Sequence, residues 1–252
     1  MDVMIRILRT ILFLLLPASI LAGCSAMALD GEIGQSDRNY ANDGSKGDKN
    51  SNKSNDGSYY LVSLRQRSDS LYLVLSGGDQ AYITNPDILK GVYQGETMAT
   101  ASFQVLRDGK KPFKWEVRLN WVIPLAVQDI LPTYPSSSKA PSASDPVTVL
   151  TGPNSLSCAF DGYLTIQYRI DASGQKQHSF SLVPDPAGKG PYDFLLLHDR
   201  QGDPSGNEVT GLVAFRLDGL LKQAAKEMTL RVRNTDLQGK EQITSFEYRF
   251  TK

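Results

Sequence analysis

Phe113-Lys114-Trp115-Glu116-Val117-Arg118-Leu119-Asn120-Trp121-Val122-Ile123 is the stretch that decides the fold class. Trp115, Val117, Leu119, Trp121 and Ile123 fall on one side of a period-two pattern, and Glu116, Arg118 and Asn120 on the other. Such alternation predicts a half-buried β-strand, because successive side chains of a strand point to opposite faces. Both tryptophans are therefore expected in a core. The alternative, a pair of stacking surfaces for a sugar or a base, needs them to project outward.

Working outward, Thr97–Leu106 reads as the preceding strand, joined through Arg107-Asp108-Gly109-Lys110-Lys111. Upstream, Tyr59–Arg65 and Leu71–Leu75 flank the short loop Gln66–Ser70, a hairpin signature. Ser76-Gly77-Gly78-Asp79 then turns the chain into Ala81–Thr84. Five strands in so short a span predict a small barrel over residues 58–130. Leu131–Asp145 is rich in proline and serine and predicts a linker. Residues 146–252 show a second series: Pro146–Leu150, Tyr163–Ile170, His178–Val183, Tyr192–His198, Leu212–Leu217, Met228–Val232 and Ile243–Phe250. About seven short strands with regular breaks predict an antiparallel β-sandwich. Asp218–Lys226 is the one helical candidate. The fold class is all-β.

The N-terminus carries targeting information. Arg6 and Arg9 precede an apolar run that ends in Leu21-Ala22-Gly23-Cys24. The run is shorter than the roughly 20 residues of a membrane-spanning helix. An aliphatic residue, two small residues and a cysteine form a lipobox. The small residues admit an extended backbone to a peptidase, and the thiolate is the nucleophile that takes the lipid. Residues 1–23 are thus expected to be a signal peptide cut between Gly23 and Cys24, with Cys24 lipidated and the membrane its partner. Residues 24–57 are dominated by Asn, Asp, Gly, Ser and Lys, too polar to offset their ordering entropy. As a tether they would span about 30–35 Å, holding the folded part off the bilayer.

Composition excludes some functions. Lys plus Arg equals Asp plus Glu, 27 against 27, so there is no net basic field for nucleic acid. Two cysteines, Cys24 and Cys158, cannot build a disulfide framework; Cys158 reads as a small buried thiol. His178 and His198 have no close His or Cys companion, so no metal site is expected. His198-Asp199-Arg200 with Asp203 could be an acid–base cluster or a polar loop after a strand; the loop is the plainer reading. Ser76-Gly77-Gly78 and Gly188-Lys189-Gly190 lack the phosphate-loop pattern. No catalytic residue and no cofactor is nominated.

With these residues in hand, the chain resembles the NigD-like lipoproteins of Bacteroidota. The likeness rests on Val117–Leu131, on Asp145-Pro146-Val147 with Asp161–Tyr168, and on Phe194–Asp199 with Gly202-Asp203, together with the lipobox. It implies an OB-like N-terminal barrel, a C-terminal β-sandwich and no established enzyme activity. The family's bacteriocin-associated name hints at immunity. Members often carry an acidic run after the lipid-bearing cysteine; here Ser25-Ala26-Met27-Ala28-Leu29-Asp30-Gly31-Glu32 follows, which leaves the membrane face open. The expected place is the cell envelope, at the outer membrane. The leading functional expectation is a non-catalytic binding module for an envelope protein or glycan. The alternatives are a bacteriocin immunity-type protein and a hydrolase with a loop-built site near His198 and Asp199.

Overall fold

The computed structural model describes residues 59–133, 144–152, 154–221 and 227–249. The expected signal peptide, Cys24 and tether lie outside them, as do most of the expected linker, Phe250 and the second half of the helical candidate.

The first unit is a closed five-stranded barrel. Its strands are β1 (Tyr60–Arg67), β2 (Ser70–Leu75), β3 (Gln80–Ile83), β4 (Thr97–Asp108) and β5 (Trp115–Pro124), in the order β1-β2-β3-β5-β4. All pairings are antiparallel except β3 with β5, which is parallel. This is the OB-like barrel. Its core is Val62, Leu64, Leu73, Leu75, Ala81, Ile83, Leu89, Ala99, Ala101, Val117 and Leu119. Closure leaves no free edge on which another chain could pair.

The decisive strand departs from its sequence pattern at one residue. Ser102 pairs with Trp121, but Phe103 pairs with Leu119, so Asn120 has no opposite number. One extra residue in a strand is a β-bulge, and it shifts every later side chain to the other face. The Asn120 amide donates to Ser102 Oγ at 3.2 Å across the bulge. Val117 and Leu119 stay inside, and Val122, not Trp121 or Ile123, packs against the barrel core. Trp121 and Ile123 are 38% and 41% exposed. The core placement expected for Trp121 and Ile123 is thus corrected. Trp115, before the bulge, is half-buried against the core with Lys114 Nζ 4.3 Å above its ring. A second irregularity leaves Leu106 unpaired and exposed.

The second unit is a β-sandwich. Its strands are β6 (Val127–Asp129), β7 (Thr148–Val149), β8 (Cys158–Phe160), β9 (Tyr163–Ala172), β10 (Ser179–Pro184), β11 (Asp193–Asp199), β12 (Asn207–Arg216), β13 (Glu227–Thr235) and β14 (Glu241–Arg249). One sheet runs β10-β11-β13-β14; the other runs β6-β12-β9-β7, with β8 hairpinned onto β9. Leu164, Ile166, Phe194, Leu196, Phe215, Leu230, Val232 and their neighbours fill the space between. Two pairings, β11 with β13 and β6 with β12, are parallel, where the sequence had suggested an antiparallel set. Asp218–Leu221 forms a single helical turn.

The two units share a face. Leu61 and Met98 of the barrel pack with Leu156, Phe160, Tyr163 and Ala214 of the sandwich. Beside this cluster, Arg65 reaches across to the β8–β9 turn. Its Nε donates to Asp161 Oδ2 at 2.7 Å and its Nη2 to the Asp161 carbonyl at 2.6 Å, while Nη1 is paired with Glu96. Asp161-Gly162 is a two-residue hairpin turn with both φ angles positive, 48° and 86°; that geometry favours Asp-Gly. The turn is held from behind, since the Gly162 amide donates to the Tyr248 hydroxyl at 3.0 Å.

A double-mutant cycle checks this clamp. Arg65→Ala and Asp161→Ala should each lower stability by about 1–3 kcal/mol, because each strands a partly buried partner. The two losses should fall short of additive by at least about 0.5 kcal/mol. Additive losses in urea unfolding would show that the pair does not couple the units.

Candidate functional site

Cys158, a strand residue of the shared face, is half-buried, and burial pushes its thiol up to about 12. It is therefore protonated and unreactive at neutral pH.

The hydrolase alternative centred on His198 and Asp199. The structure places His198 on β11, opposite Phe180 of β10, 1% exposed. Its Nδ1 lies 3.1 Å from the Pro146 carbonyl and its Nε2 lies 2.8 Å from Nδ1 of His178. A carbonyl only accepts, so His198 carries its proton on Nδ1 and its Nε2 accepts from His178. Both ring nitrogens of His198 are thereby committed, and neither is left to take a proton from a substrate. Asp199 Oδ1 accepts the Gln201 amide at 2.7 Å and takes no part. Among the described residues no group of three or more His, Cys, Asp or Glu side chains is disposed to hold a metal ion.

The chain continues inward. His178 Nε2 lies 3.2 Å from Oδ2 of Asp203. Asp203 is buried and accepts the amides of Ser173, Gly174, Gln175 and Lys176 and the Ser173 hydroxyl. Phe180 stacks on His198 with ring centroids 4.9 Å apart. Asp203 thus organises the β9–β10 loop, and the two imidazoles fasten that loop to the Pro146 segment. Burial works against ionised Asp203, but the bonds from Ser173, His178 and Gly174 more than offset it and hold its carboxyl below the usual carboxylate range. Burial lowers His198, and the Pro146 bond only partly opposes this. The sequence singled out His198 and Asp203 but not His178, the link between them. The link is set by strand pairing: Phe180 and His198 are cross-strand partners, and His178 lies two residues before Phe180.

A solvent-open cleft lies elsewhere, on the sheet of β10, β11, β13 and β14. It encloses about 320 Å³ and is lined chiefly by Asp185, Lys189, Asp193, Arg231, Arg233 and Ile243; pockets for small ligands start at about 300 Å³. Arg231 and Arg233 alternate with buried Leu230 and Val232 on β13, so the strand's period directs both guanidinium groups outward. Asp185 closes one wall. Arg233 holds it with two bonds, Nε to Oδ2 at 2.7 Å and Nη2 to Oδ1 at 2.5 Å, and reaches Glu241 with Nη1 at 3.1 Å. This fork keeps Asp185 below the usual carboxylate range. The rest of the same β10–β11 loop continues the lining: Asp193 Oδ2 accepts the Lys189 amide at 2.7 Å and the Gly190 amide at 3.1 Å. Gly188 sits so close that an added Cβ would meet the Asp193 Cβ at 2.5 Å. Arg231, in contrast, makes no side-chain hydrogen bond among the described residues; it forms a long ion pair of 3.7 Å to Asp193, and its side chain is 47% exposed. Arg233 is locked and Arg231 retains donors for a bound group. No sequence motif marks this site; its residues come from three strands and a loop.

Residues 129–248 match the family model of the NigD-like C-terminal beta sandwich domain. The C-terminal unit is thus similar to the NigD-like β-sandwich domain. Solved structures resemble the whole barrel-plus-sandwich arrangement. A protein described as toxin-related from Parabacteroides distasonis aligns with TM-score 0.60 and 21% identity, over 76% of this chain and 94% of its own. A NigD-like immunity protein from Bacteroides caccae aligns with TM-score 0.52 and 17% identity, over 77% and 97%. A protein described as a lipoprotein from Bacteroides fragilis aligns with TM-score 0.55 and 14% identity, over 77% and 98%. At these identities the likeness is one of fold. Comparison with curated proteins gave no match. The last two of these structures are described as an immunity protein and a lipoprotein, and neither description names an enzyme.

Acid should destabilise the chain in two limbs. His198 has a folded value below its ordinary 6.5, so the folded state binds its proton less readily and stability falls as pH drops below 6.5. Asp203 lies below its ordinary 3.8, so its contribution is present above 3.8 and is lost as pH falls through that value and below it. Asp203→Asn should remove the lower limb and destabilise the chain at neutral pH, since the loop donors lose their charged acceptor. Urea unfolding across the range from about pH 7 to pH 3 measures both effects; an Asp203→Asn variant with an unchanged lower limb would reassign it.

Proposed function

We propose that this protein is a non-catalytic, lipid-anchored binding module of the cell envelope that takes its ligand in the sandwich cleft. The observation that carries the reading is the contrast between its two arginines. Arg233 is fixed by a carboxylate fork, whereas Arg231 faces the cleft with spare hydrogen-bonding capacity. A wall held by the first and a donor offered by the second suit recognition of a polar ligand with a carboxylate or similar acceptor. Ile243, 51% exposed at the rim, adds an apolar contact. The Leu21-Ala22-Gly23-Cys24 lipobox supplies the anchor in this reading, and the described residues contain no helix long and apolar enough to cross a membrane. The likeness to a protein described as a lipoprotein supports placement in the envelope, at the outer membrane.

A second reading gives the same cleft a protein ligand, a bacteriocin intercepted at the membrane. It is favoured by the likeness to an immunity protein and to a protein described as toxin-related.

Full-length protein and its Arg231→Ala variant, tested side by side on glycan arrays and on immobilised envelope extracts, decide between these readings. The variant should bind about tenfold more weakly, the equivalent of about 1.4 kcal/mol for one charge-assisted bond. A glycan hit supports the first reading and a secreted bacteriocin the second. Equal binding by the variant removes the cleft from both. Cys24→Ala should release the chain from the membrane, as fatty-acid labelling and fractionation would read.

A further inference from the structure

The bulge at Asn120 exposes what strand alternation would have buried. Past it, Trp121 stands opposite Ser102 and Ile123 opposite Thr100, on the outer face of the barrel. Thr100 also pairs with Leu61. Thr100, Ser102 and Leu61 on this face are all buried, and Leu61 belongs to the cluster shared with the sandwich. The sandwich cover stops short of β5, leaving Trp121 and Ile123 as an apolar border. The ring of Tyr59 lies 6.1 Å from that of Trp121.

Tyr59 is also where the chain enters the barrel, and 33 residues, Ser25 to Gly57, separate the lipobox from Ser58. We infer that Trp121 and Ile123, backed by Tyr59, which itself packs against the shared cluster, form a membrane-facing patch that seats the barrel in the interfacial layer of the bilayer to which Cys24 anchors the chain. The inference rests on the lipid-anchored reading above. Three observations choose the bilayer over a second copy or another protein. The patch lies at the root of the segment leading to the anchor, and a tether with a reach of about 30–35 Å keeps the bilayer surface accessible to it. Tryptophan and tyrosine, each with an apolar body and a polar handle, are the residues that gather at the membrane–water interface. A bulge that turns a tryptophan and an isoleucine outward spends apolar surface that a closed barrel would otherwise bury, and bulges are selected features of strands. In place of a body held clear of the membrane, this gives one that touches it with one flank.

Trp121 is its own reporter. Full-length lipidated protein is reconstituted on vesicles of phosphatidylethanolamine and phosphatidylcholine, with the phosphatidylcholine brominated near the glycerol end of its chains. Trp121→Phe isolates the contribution of Trp121 from that of Trp115, and because the side chain is exposed the fold should be retained. Wild type should lose emission on brominated vesicles relative to unbrominated ones, and Trp121→Phe should not. Ile123→Glu, also at an exposed position, should relieve the quenching while the protein still floats with the vesicles. Flotation without quenching overturns the patch and leaves the anchor standing. Failure to float overturns the anchor and the patch with it. Flotation without quenching, accompanied by a dimer in sedimentation, gives the surface to a second copy instead.

Discussion

The two units are clamped together at the contact between β1 of the barrel and the β8–β9 turn of the sandwich, beside the apolar cluster they share. Arg65 is pinned between Asp161 and Glu96, and its guanidinium also lies 5.6 Å from the centroid of the Tyr163 ring. Tyr163 returns the contact by donating its hydroxyl to the Glu96 carbonyl at 3.3 Å. An exposed ion pair would contribute little. This one lies beside an apolar cluster that includes fully buried Met98 and Ala214, so water is kept from one side of it. The turn must place Asp161 at positive φ, which only a few residue types tolerate. A tight Asp-Gly hairpin therefore does more than reverse the chain: it presents a carboxylate and a carbonyl to one guanidinium.

Much of the architecture was legible in the sequence because strand periodicity is a strong local signal. Tyr60–Arg67, Thr97–Asp108, Tyr163–Ala172 and Glu227–Thr235 fall close to the runs that alternation marks out. What could not be read were features set by pairing partners. The bulge at Asn120 is invisible in a strand whose apolar residues alternate perfectly through it; only the opposing Ser102–Phe103 step reveals that one residue is left over. β6 and β8, three residues each, are too short to carry a period. The parallel β11–β13 contact joins residues nearly forty positions apart. For the same reason the sequence located His198 and Asp203 but read them as loop chemistry, when they are the ends of a buried tether completed by His178.

That buried network and the charged cleft illustrate two uses of similar residues on the same sheet. In the first, donors and acceptors close on one another: a carboxylate saturated by amides, two imidazoles facing each other and a carbonyl at the end. Such a network specifies a loop conformation and leaves nothing for a substrate. In the cleft, saturation is uneven. Asp185 and Arg233 satisfy each other, whereas Arg231 meets Asp193 only at 3.7 Å. Uneven satisfaction at a solvent-accessible wall is what a recognition site needs, because the fixed groups hold the shape and the underused one supplies contact.

The coupling of the units gives these local features a common consequence. A barrel that rested on a bilayer by the flank bearing Trp121 would carry the sandwich with it through Arg65 and the shared apolar cluster. The direction in which the cleft opens would then be set by the membrane and not by the polar sequence that precedes the barrel. A tether alone confers proximity, which raises the effective concentration of anything at the same surface. A tether plus a seated flank also confers orientation, which lowers the entropy still to be lost when a ligand docks. For the modest cleft on the sandwich, orientation is the more valuable of the two, and in the proposed arrangement it depends on a single unpaired residue in β5 turning two apolar side chains to the outside.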